Sequence, residues 1–227
     1  MLKIFACRVV GALALTLSAG ALAGPVQFQV TDQLGQPLAN AVVTLQGPAQ
    51  GADQPGTASM DQVRQQFAPQ VLAVRTGTRV TFPNRDNIRH QVYSFSAPKR
   101  FELRLYEGTP TEPELFDKPG VVVLGCNIHD WMLGYIYVTN DPWFAVSDAN
   151  GRVDFSRLPN GQFTTTFWHP RSADMQPMAG EPLSVSDAAQ QRQVKLTVSQ
   201  APAEGVAEPA HSAFSAAFDE AASETAK

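Results

Sequence analysis

The chain has 227 residues, 44% hydrophobic and 17% charged, with a formal net charge of −4. That length can bury one or two cores, and the acidic balance gives no reason to expect nucleic-acid binding. With only two cysteines and four histidines, neither a histidine-rich trinuclear metal cluster nor a two-cysteine binuclear centre is expected.

Residues 1–23 read as a secretory signal. Lys3 and Arg8 charge its start, an apolar stretch runs from Val9 to Leu22, and Ala21-Leu22-Ala23 supplies an A-x-A cleavage site. The stretch contains Gly11, Ser18 and Gly20 and is short for a membrane span. The expectation is export to a bacterial periplasm, with the signal removed and no integral membrane span. Cys7 leaves with the signal, so Cys126 is the single cysteine of the mature chain. The compartment would permit a disulfide, but Cys126 has no internal partner. A free exported thiol is open to oxidation unless it is buried or holds a metal.

Strand signals dominate the rest. Val and Thr alternate with polar residues, Gly and Pro are frequent, and no long segment carries a helical period. Short strands are expected at 26–31, 41–46, 71–75, 78–82, 90–95, 101–106, 121–125, 133–139, 152–155, 162–168 and 193–198. Turn sequences such as DQLGQP, RTGTR, FPNRDN, DKPG, DANG and LPNG separate them. The fold class is all-β, a sandwich. Residues 47–58 (GPAQGADQPGTA) read as a linker. Residues 201–227 belong to an Ala-, Glu- and Ser-rich tail expected to be disordered.

The segment VVVLGCNIHDWM, 121–132, carries the chemistry. A thiolate is a soft, strong donor, an imidazole is borderline, and a thioether is soft and weak. Two histidines and a cysteine in a plane with a distant methionine make an electron-transfer copper site. Cys126, His129 and Met132 lie on one loop, and one more histidine is needed from elsewhere. His211 is in the tail, and His169 ends a late strand, where it reads as a surface or edge-strand residue. His90 opens the strand HQVYSF after the turn PNRDN, which suits the missing ligand.

FAPQVLAVRTGTRVTFPNRDNIRHQV, 67–92, together with the C-x2-H-x2-M loop, resembles a cupredoxin. The shared features are F-x-P, an apolar strand, a glycine turn at Gly77, V-x-F-x-N and then a histidine; the loop spacing is similar to that of amicyanin. The wider chain resembles exported plastocyanin/azurin-like proteins labelled methylamine utilisation proteins. The resemblance implies a cupredoxin Greek-key sandwich over 57–140. It implies one type 1 copper held by His90, Cys126 and His129, with Met132 axial. The second histidine, His129, would lie at the surface as the electron portal, flanked by Asp130 and Trp131. Three positions depart from the family pattern. Leu124 replaces an aromatic residue, Ile128 a proline, and Gln91 the asparagine that braces the ligand loops.

VTDQLGQPLANAVVTLQG, 30–47, and VSDANGRVDFSRLPNGQFTTTFWHP, 146–170, together resemble a split carboxypeptidase-regulatory or transthyretin-like module. On that reading residues 25–48 plus 141–200 form a second small sandwich in which 57–140 is inserted, or on which it packs; alternatively the same strands extend one sandwich.

Arg85, Arg89, Lys99, Arg100 and Arg104 form a solvated strand face or a docking face for an acidic partner. Trp131, Tyr93 and Phe95 are candidates to shield the metal, and the latter two equally for core. The expected function is periplasmic electron transfer, non-enzymatic, with a redox partner protein such as a c-type cytochrome or a periplasmic dehydrogenase. The alternative is copper binding or delivery. Met175 and Met178 lack the neighbouring Cys or His that delivery sites favour.

Overall fold

The computed structural model describes residues 24–49 and 51–199; the stretch 1–23 read as a signal and the tail read over 201–227 lie outside the described residues. No helix among the described residues is long and apolar enough to cross a membrane.

Alternation builds the strands. In β1 (Val26–Asp32) the sequence VQFQVTD buries Val26, Phe28 and Val30 and turns the polar residues outward. β2 (Val42–Gln46) is buried along almost its whole length, because both of its faces are covered. There follow β3 (Thr57–Ser59), a hairpin of β4 (Asp61–Val63) and β5 (Gln66–Ala68), β6 (Val71–Arg75) and β7 (Thr78–Thr81). Next come β8 (His90–Ser94), β9 (Phe101–Tyr106), β10 (Glu114–Phe116), β11 (Gly120–Cys126) and β12 (His129–Thr139). The last set is β13 (Trp143–Val146), β14 (Arg152–Phe155), β15 (Gly161–Trp168), β16 (Met178–Ala179), β17 (Leu183–Val185) and β18 (Gln190–Leu196).

The described residues are all-β apart from a single 3-10 turn at Ala173–Met175. A sheet ordered β6-β12-β11-β8-β9 faces a second, ordered β10-β7-β3. Met60, Phe82, Val92, Phe116, Val122, Leu124, Met132 and Ile136 fill the space between them. A sheet ordered β13-β2-β15-β16 and another ordered β14-β1-β18 enclose a different core, with Phe28, Leu45, Val153, Phe163 and Phe167 at its centre. Among the described residues, no strand within 57–139 pairs with a strand outside that range.

A third, smaller cluster joins the two cores. Val71 and Tyr137, on the outer face of the β6-β12 pair, pack against Val42 and Trp168. The rings of Tyr137 and Trp168 lie 5.5 Å apart, and the Trp168 indole donates to the Met175 carbonyl at 2.9 Å.

The expected strands are all present; those at 71–75, 101–106 and 152–155 keep their expected bounds, and the others have shifted ends. β12 starts at His129 rather than 133, so its first turn-like residues belong to the strand. The linker read over 47–58 ends early, because Thr57–Ser59 pair in parallel with Arg79–Thr81 as β3. Segments of three residues have no readable period of their own, and only the neighbouring strand makes them strands.

Candidate metal centre

β11 runs antiparallel to both of its neighbours, β8 and β12. The end of β11 therefore lies beside the start of β8 and the start of β12. Cys126 closes β11, His90 opens β8 and His129 opens β12. A register shift between Gly125 and Cys126 sets Cys126 opposite His129. A bulge of this kind re-aims a side chain out of the regular alternation. Gly125 is required by the packing: a Cβ there would lie 2.7 Å from the ring of Tyr93.

The three side chains converge. Cys126 Sγ lies 3.8 Å from Nδ1 of His90 and 3.8 Å from Nδ1 of His129. All three donor atoms lie within 4.8 Å of one another. Such separations can be spanned by a first-row ion with bonds of about 2.0–2.3 Å. The site is dry: His90 is 0%, Cys126 3% and His129 9% exposed. The resemblance implies a surface position for the second histidine. The structure leaves His129 only an exposed edge, which is still more than His90 has.

Burial, followed by the neighbouring His90, holds the His129 pKa below the ordinary imidazole value, with Asp86 opposing. A neutral ring presents the lone pair that a metal needs. The donor set of one thiol and two imidazoles, without a carboxylate, fits a soft-to-borderline ion, copper first. Met132 is 1% exposed and belongs to the same core as Cys126.

Residues 57–139 form a two-sheet β-sandwich that carries the cluster at one end of its strands. Neither a family model nor a curated protein matches the chain. A copper-containing nitrite reductase from Thermus scotoductus SA-01 aligns over 49% of this chain, at 27% identity and a TM-score of 0.35. The alignment spans only 28% of that protein's length. A purple cupredoxin from Nitrosopumilus maritimus aligns over 37% of this chain and 99% of its own, at 21% identity and a TM-score of 0.32. A reduced amicyanin variant aligns over 40% of this chain and 86% of its own, at 22% identity and a TM-score of 0.33.

The surroundings of the site were less legible. Gln91 does not brace the ligand loops; its amide donates to Glu102 on the exposed side. Asn84 braces them instead, donating to the carbonyls of Ile88 and Tyr106 and accepting from the Asp86 N–H. Asp86 lies 2.8 Å from Nε2 of His90. Its position four residues before the histidine is the one sequence signal for it. Leu124 is fully buried in the core. Behind the site, buried Gln62 and the phenol of Tyr106 are hydrogen-bonded, and both donate to the Phe82 carbonyl. Burial raises the Tyr106 pKa far above the ordinary phenol value, with a smaller raising contribution from Cys126.

The rim is apolar. Trp131 leans on His129 with ring centroids 5.3 Å apart, and Trp131 and Ile128 are both about half exposed. Phe95 is 77% exposed, so it is neither core nor shield. Tyr93, half-buried beside it, covers Gly125. In the basic stretch Arg85 pairs with Asp61, Arg89 with Glu107 and Lys99 with Glu114. Local acids thus take up three of its charges.

His169 is corrected. It is 4% exposed, not on the surface, and lies outside the ligand cluster. Its Nε2 donates to the Ala39 carbonyl and its Nδ1 accepts from the Arg171 N–H. The loop before β2 covers it, which no pattern around residue 169 could announce.

Proposed function

We propose that this is a mononuclear copper protein of the type 1 class that carries electrons in the periplasm. The observation that supports this most is the buried convergence of His90, Cys126 and His129 on one point. His90 and His129 would hold the ion through Nδ1, Cys126 through its thiolate, and Met132 as the weak axial donor. Bound copper supplies one-electron exchange between its cuprous and cupric states. The chain contributes ligands already gathered by strand pairing, a core that excludes water, and an edge of His129 under an apolar rim. A partner redox protein, such as a c-type cytochrome or a dehydrogenase, would dock on Ile128 and Trp131. We read residues 25–48 and 141–200 as a transthyretin-like module that fixes the carrier to an envelope partner.

The test is to add cupric copper to the purified mature protein and record visible and paramagnetic-resonance spectra. An intense blue or green band with narrow copper hyperfine splitting supports the electron carrier. A colourless protein holding one cuprous ion favours storage or delivery, for which the same soft donor set is suited. Absence of stoichiometric copper overturns both readings.

A further inference from the structure

His90 is fully buried, and both of its ring nitrogens are committed. Nδ1 faces Cys126 and Nε2 faces the Asp86 carboxylate. Asp86 is itself anchored from a different part of the chain. The backbone N–H of Arg64 donates to its Oδ1 at 2.7 Å, and that of Gln65 to its Oδ2 at 2.8 Å. Arg64 and Gln65 form the tip of the β4–β5 hairpin, with φ of 53° and 58°. Two successive residues in the left-handed region make a tight turn, and here both of the turn's N–H groups point at one carboxylate. The Asn84 side chain accepts from the Asp86 backbone N–H, which holds the loop from the other side.

We infer that Asp86, clamped by the Arg64–Gln65 turn, is a positioning residue that keeps His90 protonated on Nε2 and lowers the reduction potential of the bound copper. A carboxylate accepting from the far nitrogen of a metal-binding imidazole fixes the tautomer and raises the basicity of the other nitrogen. A more basic donor with a negative charge behind it favours the cupric ion over the cuprous ion. The turn's N–H groups hold part of that charge in place and moderate it, so the β4–β5 hairpin belongs to the tuning of the site. The inference rests on the copper reading above for the potential, but not for the tautomer.

The experiment compares wild type with Asp86→Asn and, as a charge control, Glu107→Gln. Glu107 is exposed and pairs with Arg89, so its charge does not reach His90 through a hydrogen bond. In D86N cupric affinity is expected to fall by about 10–100-fold, cuprous affinity to fall less, and the midpoint potential to rise accordingly. E107Q should leave all three at wild-type values. In the metal-free wild type, nitrogen-15 resonance of His90 should report the Nε2-protonated ring. A folded D86N with wild-type potential overturns the inference, as does an E107Q that shifts equally. If D86N does not fold, the wild-type tautomer decides, and an Nδ1-protonated His90 overturns it. If the wild type takes up no copper, the copper reading has failed, and the tautomer alone tests the role of Asp86.

Discussion

Tyr137 and Trp168 stack at 43° with ring centroids 5.5 Å apart, in the small cluster that lies between the two large cores. Tyr137 lies on the strand whose other end carries His129. Trp168 is fully buried, and its indole N–H is satisfied by Met175. Trp168→Ala should therefore lower unfolding stability by about 3–5 kcal/mol, as loss of a buried aromatic does. Because the core around Cys126 does not contain Trp168, the copper spectrum of the folded variant should match wild type. Denaturant titration and the visible spectrum check the two halves of this prediction.

Cys126→Ser should remove any intense visible band, since that band needs a thiolate donor. Copper titration followed by absorbance is the measurement, and survival of the band would refute the thiolate assignment.

Met132→Leu separates packing from ligation. The side chain is fully buried, and a volume-conserving change usually costs less than about 1.5 kcal/mol. If the thioether is the axial donor, the folded variant keeps its copper, but its potential rises and its paramagnetic-resonance spectrum changes. An unchanged potential would make Met132 simply part of the core.

His169 makes stability depend on acid. Burial, then the Arg171 charge, pushes its pKa down from 6.5 to about 4, with the Ala39 carbonyl opposing. Between those values the unfolded chain binds a proton that the folded chain refuses. Stability is therefore full above about pH 6.5 and falls as pH drops toward 4, by up to about 3 kcal/mol. In His169→Gln, which can still donate to Ala39, this slope should flatten and the copper spectrum stay unaltered. Denaturation midpoints across pH 4 to 7 test it.

The candidate ligands were legible because they are chemically rare in this chain. A single cysteine beyond residue 23, a histidine three residues on and a histidine at a strand start narrow the choice by residue type alone. Burial was less legible. Trp131, Phe95 and His169 are all apolar or amphipathic residues in strand-like surroundings, and only packing separated the exposed Phe95 from the buried His169. Beyond its place four residues before His90, nothing in the sequence marks Asp86, since its role needs the Arg64–Gln65 turn, 22 and 21 residues away.

By itself the sequence determined the alternation that makes strands, the turns that end them and the set of donor atoms available to a metal. These are local properties, decided by side-chain chemistry and a period of two. Tertiary structure decided which strand ends meet, where the register slips beside Cys126, and which hairpin clamps the carboxylate behind His90. Those depend on pairing between residues far apart in the chain. A strand's own pattern fixes which face is buried but leaves its neighbour unspecified.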